Sequence, residues 1–139
     1  MSESVMGKAE VGLYEKEKPS MGQAAKGQLI LTNRRIVYVK YLGGKFLRVK
    51  VEDYSNRIEE GLKNDGSFEI PLKQITEVKA DRIWGTGYLR VRYRTDMGEK
   101  VYSLILTSMW TMWGIIPGKS PYEDMAQRIE QLRKEASIA

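Results

Sequence analysis

The side chains that could do chemistry in this sequence are mostly cations. Lys26, Arg34, Arg35, Lys40, Lys45, Arg48 and Lys50 fall in one stretch that holds no acid, whereas residues 52–69 set six acids against Arg57 and Lys63. The chain is polarised along its length, and a basic face on a small domain attracts phosphate-rich or carboxylate-rich surfaces. A solvated sheet face that keeps the domain soluble explains the same charges without a ligand. Lys16 and Lys18 extend the basic set ahead of that stretch. A second group, Arg90, Arg92 and Arg94, alternates with Leu89, Val91 and Tyr93 and so shares one face of a strand. Guanidinium forks suit phosphate or carboxylate, but pairing with Glu99, Glu59 or Glu60 accounts for the ladder and is the preferred expectation. A third feature is apolar: Met109, Trp110, Met112, Trp113, Ile115 and Ile116 crowd one uncharged run. Exposed, they would form an interface with a partner, a membrane or a second copy of the chain; buried, they extend the core.

Two zeros narrow the chemistry further. The chain has no histidine and no cysteine, which removes the imidazole base, the thiolate nucleophile, the usual zinc ligands and every disulfide. No pair of carboxylates has a spacing that commits it to one site, so no catalytic residue, metal or cofactor is expected and the chain reads as no enzyme. Trp84, Gly85 and Gly87 lack the helix and lysine of a phosphate-cradling loop and are explained by a turn. No secretion signal is visible, and the apolar run is far shorter than the ~20 residues of a transmembrane helix. A cytoplasmic protein, peripheral to a membrane where it touches one, is the resulting expectation.

These residues need a scaffold, and 139 residues suit one domain. The expected organisation is a loose lead-in over 1–8, a domain over 9–136 with an insertion at 52–66, and a tail over 137–139. Alternation predicts strands at 9–14, 28–31, 35–41, 46–51, 68–72, 75–83, 88–95 and 100–107. Asn33 is expected to take the left-handed backbone of a tight hairpin, and a glycine-flanked turn is expected at Gly85, Thr86 and Gly87. Tyr54, Ile58 and Leu62 have weak helical spacing that Gly61 spoils. Ser120, Pro121 and Glu123 open a helix with a capping box, and Tyr122, Met125, Ala126, Ile129, Leu132 and Ala136 give it one apolar stripe.

This order of elements argues for a mainly β sandwich or partly open barrel of about seven antiparallel strands, capped by one C-terminal helix. The run Gly27-Gln28-Leu29-Ile30-Leu31-Thr32-Asn33-Arg34-Arg35-Ile36-Val37-Tyr38, followed by Ile70-Pro71-Leu72-Lys73-Gln74-Ile75-Thr76-Glu77-Val78, resembles the pleckstrin-homology-like superfamily in its GRAM and bacterial PH-like branches. The resemblance covers roughly residues 8–136. It implies a non-catalytic module that docks on lipid headgroups, peptides or folded proteins; the GLUE domain, similar in layout, binds ubiquitin as well as lipid. In lipid-binding members the headgroup is held by basic residues around the first two strands, and the positions that match in kind are Lys16, Lys18, Lys26 and Arg34. Lys45, Arg48 and Lys50 complete the expected anionic-ligand set. The expected partner is an anionic lipid surface; a protein partner without lipid binding is the alternative. Nucleic acid ranks third, on Tyr38, Tyr41, Tyr88 and Tyr93 lying among basic residues.

Overall fold

A computed structural model describes residues 2–20, 24–42, 52–108 and 120–138. Among them lie seven strands: β1 (Val5–Tyr14), β2 (Ala25–Thr32), β3 (Arg35–Lys40), β4 (Phe68–Pro71), β5 (Ile75–Ile83), β6 (Thr86–Thr95) and β7 (Gly98–Ser108). They pair antiparallel in the order β4-β3-β2-β1-β7-β6-β5. β1 is shared between the two halves, pairing with β2 along its length and with β7 from Glu10 to Tyr14. The inner face holds Leu29, Leu31, Ile36, Tyr38, Leu89, Val91 and Leu104, all buried. Helix α2 (Pro121–Ile138) lies against β5, β6 and the 3-10 turn Leu72–Gln74, and brings Met125, Ile129 and Leu132 into the same cluster. Burying each such side chain is worth about 1.5–3 kcal/mol, which explains why an amphipathic stripe closes this barrel. The Ser120 hydroxyl accepts the Tyr122 N–H at 3.2 Å, so Ser120 caps the first turn as expected, through the Tyr122 amide rather than the Glu123 amide of a capping box.

Several details depart from the sequence reading. The start of the expected lead-in is tied down within the described residues: β1 begins at Val5, the Ser4 N–H donates to Asn33 Oδ1, and Glu3 pairs with Arg35. Asn33 does not take a left-handed backbone. Thr32 makes the β2–β3 turn instead, its hydroxyl accepting the Arg34 and Arg35 N–H groups at 3.1 and 3.0 Å. The later turn falls earlier than expected, on Trp84 and Gly85, and Thr86 and Gly87 lie inside β6. The strand expected over 46–51 lies outside the described residues.

The 52–66 segment carries a single short helix, α1 (Ile58–Gly61), and packs on the outer face of β2 and β3. Tyr54, Ile58 and Leu62 meet Ile30, Val37, Val39 and Tyr41 there in a second apolar cluster. Gly61 permits this contact, because a Cβ on it would stand 2.8 Å from Val39 Cγ2 and 3.0 Å from the Tyr54 ring. The residue that weakened the helix pattern is the one that lets the segment dock.

Candidate functional site

The outer face of the sheet divides into a covered half and an open half. On the covered half, Gln28 is fully buried; its Nε2 donates to Asp53 Oδ1 at 3.0 Å and its Oε1 accepts the Tyr54 N–H at 2.7 Å. Lys8 Nζ reaches Asp53 Oδ2 at 2.8 Å. Partial burial pushes the Asp53 carboxyl up, but bonds from Lys8, Gln28 and Ser55 outweigh it and hold it well below the usual range. At the rim Arg35 contacts three carboxylates, from Glu3 and Glu59 at 2.8 Å and from Glu69. These come from the chain start, α1 and β4, so one guanidinium ties three segments together. The same bond to Arg35 is the main cause of a lowered Glu3 pKa. Arg57 is likewise paired, with Glu52 at 2.9 Å and Glu60 at 3.3 Å, and its guanidinium lies 4.4 Å over the Tyr54 ring. Among the described residues of this half, Lys8, Arg35 and Arg57 are all held by carboxylates, and Lys63 on the covering segment is exposed without an ion pair.

The open half is built from the end of β1, the loop after it, β7, β6 and β5. Register places Lys26, Gly12 and Ile105 in one row across β2, β1 and β7, with Tyr14, Ser103, Arg90 and Lys79 in the next. The β1–β2 loop folds onto this face: Glu17 pairs with Arg92, and Pro19 and Ser20 line a cleft of ≈ 380 Å³ with Tyr14, Ile83, Trp84, Thr86 and Ile105. Two of the three ladder arginines are answered by acids, the expected Glu99 among them, while Arg94 is exposed and makes no ion pair with a described residue. Arg90 pairs with Glu77 at 3.0 Å and Asp81 at 3.6 Å; Arg92 pairs with Glu77, Glu17 and Glu99. Glu59 and Glu60 belong to the covered half instead. The lysines behave otherwise. Lys16, Lys18, Lys26 and Lys79 are exposed, and none makes an ion pair with a described residue, Lys16 donating only to Ser20 at 3.3 Å.

The sequence-derived site therefore splits. Lys16 and Lys18 lie in the loop after β1 and Lys26 at the start of β2, whereas Arg34 sits in the turn at the far end of β2, roughly 25 Å from Lys26 at the ordinary strand rise. Arg34 does not belong to the same surface. Lys45, Arg48 and Lys50, and the expected interface of Met109, Trp110, Met112, Trp113, Ile115 and Ile116, lie outside the described residues. Tyr38, Tyr41, Tyr88 and Tyr93 are all buried, so none offers a face on which a base could stack. Trp84, which the sequence reading explained by a turn alone, is 93% exposed. Its signal was present: a tryptophan at the tip of a turn, where asparagine or aspartate is the usual choice.

No protein-family model matches the chain, and no curated protein matches it. Solved structures do. The chain is similar to the Vps36 N-terminal PH domain, with a TM-score of 0.57, 16% identity, and coverage of 99% of this chain and 83% of that one. It is also similar to the hSac2 domain from the human phosphoinositide phosphatase Sac2, with a TM-score of 0.53, 14% identity, and coverage of 97% and 72%.

Proposed function

With a pleckstrin-homology-like fold as premise, we propose that this domain is a non-catalytic docking module whose open outer face meets an anionic membrane surface. The observation that carries the reading is the contrast in pairing: Arg35 and Arg57 on the covered half and Arg90 and Arg92 on the open half are matched by carboxylates, while Lys16, Lys18 and Lys26 stand exposed without ion pairs to described residues, as do Arg82 and Arg94 on the hairpin strands. Unmatched lysines are the side chains that leave net positive potential for an anionic leaflet, each contributing about 1 kcal/mol near the surface. Lys45, Arg48 and Lys50 continue the basic run in sequence and are proposed to join the same contact.

Among the described residues no helix is long and apolar enough to cross a membrane, so attachment would be peripheral. Sedimentation with phosphatidylcholine vesicles, with and without phosphatidylserine, at low and high salt tests the reading. Binding should need the anionic lipid, weaken as salt screens the charges, and fall when Lys45, Arg48 and Lys50 are changed to glutamate. No sedimentation under any condition would sink it in favour of a protein partner. A gel shift with plain DNA or RNA would point to nucleic acid instead.

A further inference from the structure

Trp84 is the structural oddity of the open face. It and Gly85 form a two-residue hairpin tip between Ile83 and Thr86, with φ of 51° and 81°. Positive φ at both positions is the signature of a type I′ turn, which favours Asn-Gly or Asp-Gly; a bulky side chain there is strained. The ring gains nothing from the fold in return, being 93% exposed. Strain held at an exposed position points to a use outside the domain.

Resting on the membrane reading above, we infer that the Trp84 hairpin is an apolar anchor that enters the headgroup zone of an anionic bilayer while the surrounding lysines stay at the phosphates. Shape decides for a bilayer over a protein pocket. Trp84 borders the cleft with only a small part of its surface and is 93% exposed at the tip of a two-residue hairpin, whereas a tryptophan that anchors a protein interface sits in a packed centre shielded from water by its neighbours. Charge agrees: Arg82 and Lys79 lie a few residues before the tip on β5, Lys18 is close enough to Asp81 to act on its carboxyl, and all three are exposed. An amphipathic indole at the tip of a hairpin whose first strand carries exposed cations is suited to the membrane–water boundary, where tryptophan concentrates. Beside it the apolar cleft floor of Tyr14, Ile83 and Ile105 lets the tip settle without burying a charge.

Because the indole strains its own turn, function and stability must move in opposite directions. Trp84→Asn, which restores the favoured Asn-Gly turn, is expected to raise Tm by about 2–4 °C. The same change should lower partition onto phosphatidylcholine–phosphatidylserine vesicles about tenfold. With wild-type protein on those vesicles, the part of the emission lost in Trp84→Phe should be blue-shifted and quenched by bromine-labelled acyl chains. If wild type binds the anionic vesicles and Trp84→Asn binds equally well, the anchor is overturned while the charge-driven reading stands. An indole that still emits as in water on bound vesicles also overturns it and leaves Trp84 for a protein pocket. A drop in Tm for Trp84→Asn would show that the ring holds the hairpin, which overturns it as well. Failure of wild type to bind any vesicle removes both this inference and the reading beneath it.

Discussion

The two halves of one sheet face solve the same problem differently. On the covered half the 52–66 segment lays Tyr54, Ile58 and Leu62 on the strands, and Gln28, Asp53, Lys8 and Arg35 consume one another's hydrogen-bonding capacity. On the open half the β1–β2 loop neutralises Arg92 through Glu17 but leaves lysines and a tryptophan facing solvent. A charge satisfied within the fold contributes to stability and has little left for a partner; a charge left free contributes little to stability and is available for binding. Position in the fold, more than residue type, separates structural cations from those free to bind.

That contrast can be broken by substitution. The largest effect should come from Lys16→Glu, Lys18→Glu and Lys26→Glu together, which we expect to weaken binding to anionic vesicles by about 100-fold or more, at roughly 1 kcal/mol per cation removed. Tm should stay nearly constant, as measured by circular dichroism; a large drop would place these lysines among the structural set. Arg35→Met should do the reverse, costing about 2 kcal/mol of unfolding free energy because three carboxylates are left facing each other, with vesicle binding unchanged. Denaturant titration measures it, and loss of lipid binding in a folded Arg35→Met protein would erase the distinction between the halves.

Gly61→Ala tests the docking of the insertion. Its methyl would meet Val39 and Tyr54 too closely, and after the better helix propensity of alanine is credited the net cost should be about 1–2 kcal/mol. A neutral or stabilising result would mean that the segment is held less tightly than its packing implies. The smallest effect concerns pH. Glu3 and Asp53 have folded pKa values below their ordinary ones, so the stability they contribute is complete above about pH 5 and is lost as pH falls through their folded values. Thermal midpoints should be flat from about pH 7 to 5 and decline below about pH 4, with Asp53→Asn showing a shallower decline; an identical decline would remove Asp53 from the account.

Much of the architecture was legible in the residues because it rests on local periodicity. Alternation of Leu89, Val91 and Tyr93 with arginines marks β6, and Ser120-Pro121 followed by a three-and-four apolar stripe marks α2. The site was less legible because pairing partners lie far apart in sequence. Arg34 and Arg35 are neighbours of the same type, yet one is exposed in a turn and the other is enclosed by acids from positions 3, 59 and 69. Gly61 looked like a defect until Val39 was placed beneath it.

By itself the sequence determined the class of fold, the closing helix and the exclusion of imidazole and thiol chemistry, since these depend on composition and on spacings within one element. Tertiary structure alone decided which cations are free. Neutralisation depends on distances of a few ångströms between segments brought together by β-pairing, and it left Lys16, Lys18 and Lys26 without ion pairs to described residues while Arg35 was enclosed by acids from three segments.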